Sequence, residues 1–149
     1  MGELLQPMHV LVLLFVAGTL LIPAIFYILT LSGVLQKCAP ASRTIEPGPV
    51  WILLIPLVNL VFSFIVVFEM AQTLRNEFNR RGIRVAEPSP GKSLGLAMCI
   101  CGCCRIIPVL GLLAMLAHLV LWIIYWVKIS EYSRMLDTHS MSIAGGHVV

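Results

Sequence analysis

Four stretches of the chain are almost free of charge, and polar residues gather between them instead of alternating with them. Met8 to Leu35 has no Asp, Glu, Lys or Arg over 28 residues. As a helix rising ~1.5 Å per residue it reaches ~42 Å, more than a ~30 Å hydrocarbon layer requires. Val50 to Phe68 and Val109 to Val127 are each 19 residues long and equally uncharged. Ser93 to Ile107 is shorter and contains Arg105, so it reads as the first arm of a two-span hairpin or, alternatively, as a re-entrant or interfacial segment before a single span. The pattern predicts an all-α integral membrane protein with four transmembrane helices, at about 8–35, 50–68, 93–107 and 109–127, forming a single membrane domain over 1–149.

Proline and glycine punctuate these runs. Pro23 falls inside the first and predicts a bend there, because its missing amide frees a carbonyl. Pro40, Pro47, Gly48 and Pro49 mark a loop, and Pro88 and Pro90 mark a linker between two halves that loosely repeat a two-helix unit. Beyond the apolar runs, 69–82 carries a stripe of Met70, Leu74 and Phe78 with Gly82 as a stop, and 128–138 carries Ile129, Tyr132 and Leu136. These read as cytoplasmic amphipathic extensions of helices two and four whose stripes pack together, with Glu69 facing Lys128 as an ion pair at the membrane rim. The tail 140–149 reads as flexible. On helix three, Gly95, Cys99 and Gly102 form one small-residue stripe and Ser93, Ala97, Cys101 and Cys104 another, which predicts a central, closely packed helix.

Composition agrees with the pattern: 59% of residues are hydrophobic and 11% charged, against about 25% charged in a soluble domain. The net charge of +3 comes from scattered residues and not from a basic stripe, which argues against a nucleic-acid partner. With four spans, Arg75, Arg80, Arg81, Arg84, Lys92, Lys128 and Arg134 share one side, while Lys37, Arg43 and Arg105 share the other. The positive-inside rule then places both termini in the cytoplasm. Trp51, Trp122, Trp126, Tyr125 and Tyr132 fit interfacial belts, and Arg105 would snorkel to outer headgroups.

Candidate chemistry is sparse. His118 lies ten residues before Lys128 and Asn59 ten residues before Glu69, so both sit ~15 Å below the rim and share a midplane depth. A midplane histidine is a suspect for proton or ligand handling, or is held by a hydrogen bond to Asn59, Ser63 or a backbone carbonyl. Cys99, Cys101, Cys103 and Cys104 lack the spacing of a zinc or iron–sulfur site, and no metal or cofactor is expected. Cys38, Cys103 and Cys104 would all lie near the outer face, where one disulfide from Cys38 is feasible. The stretch from Ala86 to Ser93 only superficially matches a phosphate loop; its two prolines suit a linker, with Lys92 at headgroups and Ser93 capping helix three.

Ile106-Ile107-Pro108-Val109-Leu110-Gly111, Trp122-Ile123-Ile124-Tyr125-Trp126-Val127-Lys128-Ile129 and Ile55-Pro56-Leu57-Val58-Asn59 together resemble a group of small bacterial multi-pass membrane proteins of unknown function. The similarity covers Lys37 to Leu136 and implies four helices in the bacterial inner membrane. It carries no catalytic residue across. The expectation is a non-catalytic accessory or scaffold subunit, packed in the lipid bilayer with other membrane subunits or copies of itself. The alternative is an oligomeric channel or transporter with a polar site at Asn59 and His118, and a redox enzyme holding a cofactor at His118 or the cysteines is a third.

Overall fold

The computed structural model describes residues 7–105, 107 and 111–145. Among these, all regular structure is helical: α1 (Pro7–Lys37), α2 (Pro56–Arg81), α3 (Lys92–Cys104) and α4 (Gly111–Gly145), with short 3-10 turns at Pro40–Ser42 and Pro49–Leu54. Two stretches, Leu57–Arg81 and Gly111–Ser142, are long and apolar enough to cross a membrane.

The predicted second span is split. Ile55 is extended, at φ −85° and ψ 110°, because the ring of the following proline disfavours helical backbone at the residue before it. Residues 49–54 therefore form a separate 3-10 turn, and α2 starts only at Pro56. At its other end α2 stops where expected: Gly82 adopts φ 70°, and the amides of Gly82 and Ile83 bond back to the carbonyls of Asn79 and Phe78. The first helix runs unbroken through Pro23. The fourth runs past 140 to Gly145, so the expected flexible tail is helical over 140–145. Residues 106 and 108–110 of the Ile106–Gly111 motif, and the tail 146–149, lie outside the described residues.

Helix direction departs from the sequence reading. Tyr27 packs on Trp122 and Trp126, and ten residues later Lys37 Nζ binds Asp137 at 2.6 Å and Ser133 at 2.7 Å, so α1 runs parallel to α4. Phe78 meets Tyr132 edge-on at 5.6 Å and Arg81 reaches Leu136, so α2 runs parallel to both. Only α3 is antiparallel: its Gly91 sits against Ile129 and its Gly102 against His118. Segment 38–55 must therefore carry the chain back. It does so alongside α2, where Ala39 N–H donates to Glu77, Ser42 O accepts from Asn76, and Thr44 bonds Thr73 Oγ1 and the Glu69 carbonyl.

Lys37 and Arg43, expected on the side opposite Arg80 and Arg81, thus stand beside them. Of the ten Lys and Arg, nine gather at this charged end, and Arg105 alone marks the other. The start of α1 and the end of α4 accordingly lie at opposite ends of the bundle, not at the same one.

The core runs the length of the charged half. Met70, Leu74 and Phe78 of α2 and Ile129, Tyr132 and Leu136 of α4 are all buried in one cluster with Leu31, Val34 and Leu35 of α1, so the two predicted stripes do pack together. Helix α3 packs on α2 and α4 through the stripe of Gly95, Cys99 and Gly102, all buried, but it is not central: Ser93, on the second stripe, and Ile100 are exposed.

Candidate functional site

Two places in the bundle concentrate polar groups. The first, at the charged end, is built on Glu77, whose side chain is 0% exposed. Arg80 reaches it at 2.6 and 3.1 Å, Arg81 binds the same carboxylate, and Ala39 N–H donates at 3.2 Å. Arg81 also donates to the carbonyls of Lys37 and Leu136 and to Ser140 Oγ. Arg43 donates to the carbonyls of Gln36 and Cys38. The two arginines thereby satisfy the last carbonyls of α1, where the helix dipole favours positive charge. Sequence reasoning passed over Glu77; its only local signal is the Glu-to-Arg spacing of three and four residues, which elsewhere marks a solvated helix face.

The charged end also settles the thiol question. Cys38 is buried there, and burial, with Glu77 nearby, pushes its thiol up to about 11. Cys103 and Cys104 stand at the far end of antiparallel α3, next to Gly102. The proposed partners are a helix length apart, and all five cysteines are free.

The second place is a cavity of about 500 Å³ between the four helices. Asn59 and His118 both line it, as their matching depths predicted, together with Thr19, Ser63, Cys99 and Arg105. His118 Nδ1 lies 2.9 Å from the carbonyl oxygen of Met98. That oxygen can only accept, so Nδ1 carries the proton in this contact. The ring comes this close because Gly102 has no side chain; a Cβ there would stand 3.3 Å from it. The expected hydrogen bond of His118 is thus to a backbone carbonyl. Pro23 also lines the cavity, and it cannot supply the amide that would engage the Thr19 carbonyl four residues earlier. Tyr27, Ile28, Val66, Met98 and Trp122 complete an apolar wall. Among the described residues lining the cavity, none is acidic and Arg105 is the one cation.

The remaining sequence candidates fall elsewhere. Lys128 stands 3.9 Å from Glu87 and not opposite Glu69, because the 83–91 linker folds over this part of α4. Glu87 also accepts from the Gly91 amide at 2.8 Å and from Tyr132. Lys92 lies over the Phe68 ring at 4.8 Å, a cation–π contact and not a phosphate cradle. The residue preceding α3 is Gly91, at φ 73°, so Ser93 is not its cap. Trp126 donates to Thr30 Oγ1 at 2.9 Å, and with Trp122, Tyr27 and Tyr125 it forms an aromatic seam between α1 and α4. Among the described residues no group of three His, Cys, Asp or Glu could hold a metal ion.

No family model, curated protein or solved structure matches the chain. What it does is therefore argued from its own side chains.

Proposed function

We propose that the chain is a multi-pass membrane protein that works without catalysis, as a helix-packing subunit of a larger membrane assembly or of a self-oligomer. The observation that carries this reading is the bare start of α1. Every described side chain from Met8 to Phe15 is exposed, with Phe15 at 77% and Met8 at 70%. Neighbours ~100° apart on a helix cannot all face one partner, so these turns project free of the other three helices. One face of the first half of α4 is bare as well, Leu112 being 69% and Leu116 53% exposed. By contrast, the uncharged part of α2 from Pro56 to Phe68 rises only ~20 Å, less than a hydrocarbon layer. Foreign or sister helices packed on α1 and α4 complete that layer.

Native mass analysis after mild detergent extraction should find the chain in species larger than one protomer, and Phe15→Ala combined with Leu11→Ala should shift it toward the protomer. A lone monomer before any substitution rejects the assembly reading.

In this reading the charged end faces the cytoplasm, since a cation split of nine to one satisfies the positive-inside rule better than seven to three. The turn at 38–55 then dips back into the layer along α1 and α2, seated by the buried Val50 and Leu53 and presenting the apolar Trp51, Ile52 and Ile55 outward. Impermeant thiol labelling of Glu46→Cys and Ser140→Cys, each in a cysteine-free background, should mark both from the same side. Labelling from opposite sides restores four simple spans.

A further inference from the structure

The cavity has a chemistry of its own that the assembly reading does not use. At about 500 Å³ it falls within the ~300–1,000 Å³ typical of small-molecule sites. The helix directions sort its lining by height. Thr19 lies eight residues below Tyr27 and Asn59 seven below Val66, so ~10–12 Å separates each polar residue from the apolar one above it. Arg105 follows the last turn of α3 at the same lower end. The space is thus polar toward Arg105 and apolar toward the charged junction.

We propose that this cavity binds a single-chain amphiphile with an anionic head, the head held by Arg105 and Asn59 and the tail laid along Tyr27, Val66 and Trp122. Arg105 sets the sign, because no acidic side chain among the described lining residues opposes it and guanidinium pairs well with carboxylate or phosphate. Asn59 adds two amide donors beside it. A carboxylate from a free fatty acid and a phosphate from a lysophospholipid share this chemistry. The inference stands apart from the assembly reading, since a monomer could bind such a ligand and an oligomer could lack it.

The test is tryptophan quenching by 12-bromododecanoate, with the full chain in zwitterionic nanodiscs. Quenching should saturate, be reversed by dodecanoate, and fall by at least half in Trp122→Phe. Arg105→Gln should weaken binding by about tenfold or more, and the side chain is exposed, so the variant keeps its fold. Dodecanol and dodecylamine should compete at least about tenfold less well than dodecanoate. Tighter competition by dodecanoyl lysophosphatidate identifies the phosphate source, and tighter competition by dodecanoate identifies the free acid. Quenching that rises without saturation, ignores Arg105→Gln, or is reversed equally by dodecanol overturns the proposal.

Discussion

Replacing Glu77 by alanine should destabilise the bundle by about 3 kcal/mol, the usual cost of removing one member of a buried charged pair. The carboxylate has no exposed surface, and Arg80, Arg81 and the Ala39 amide all converge on it. Without it Arg81 keeps its bonds to Lys37 and Leu136 but loses its counter-ion, and the joint between α1, α2 and α4 carries an unpaired charge. Thermal unfolding in detergent measures the loss, and an unchanged midpoint would show that the junction does not hold the helices together. Glu77 lies nine residues beyond the uncharged part of α2, which ends at Phe68, so it belongs to the polar end. Burial raises its carboxyl, but the bonds from Arg80, Ser42, Arg81 and Ala39 outweigh that and hold it at about 2, against 4.5 normally. A value lower in the folded than in the unfolded chain means stabilisation that is complete above about 4.5 and lost as pH falls toward 2. The melting temperature should drop across that window, and Glu77→Gln should flatten the drop.

Gly95→Ala should be the other severe substitution, although alanine is the better helix former by about 1 kcal/mol. A Cβ on Gly95 would stand 2.5 Å from Val67 Cγ1 and 2.9 Å from Tyr125 Cε2. Valine is stiff at its branch and Tyr125 is buried, so neither yields without moving α2 or α4. Overpacking of this kind costs about 1–3 kcal/mol, and Gly95→Leu should prevent assembly of the bundle altogether. Gly33→Ala supplies the contrast: nothing lies within 4 Å of a Cβ there, so that change should raise the melting temperature. Equal effects at the two glycines would mean that α3 is not wedged between its neighbours.

How much of this was legible depended on whether the signal was local. The stripes at Met70 and Ile129, the stop at Gly82 and the tight face of α3 are written in short-range spacing, and each was readable. Asn59 and His118 were matched in depth because α2 and α4 run the same way, so counting back from Glu69 and Lys128 measured the same distance. Helix direction for α1 was not legible. An uncharged run of 19 residues from Val50 reads as one span by hydropathy, and only the weaker cue of Ile55 before Pro56 shows where it divides. Glu77 was hidden for a related reason: its partners Ala39 and, through Arg81, Lys37 reach it only once α1 ends beside α2. The same error brought Cys38 and Cys103 together, whereas the Lys128 partner was missed because the 83–91 linker folds over α4 and brings Glu87 to it.

The parallel course of α1 and α2 bears on how such a chain enters lipid during synthesis. Four simple spans would require Lys37, Arg43 and Arg105 all to be translocated, each at about 3 kcal/mol if carried through the centre of the layer. In the proposed orientation, with the connector dipping back from the cytoplasmic side, Lys37 and Arg43 would remain where they are made, and of the ten Lys and Arg only Arg105 would make the passage. It would travel at the end of α3, between two apolar helices that can be inserted as a pair.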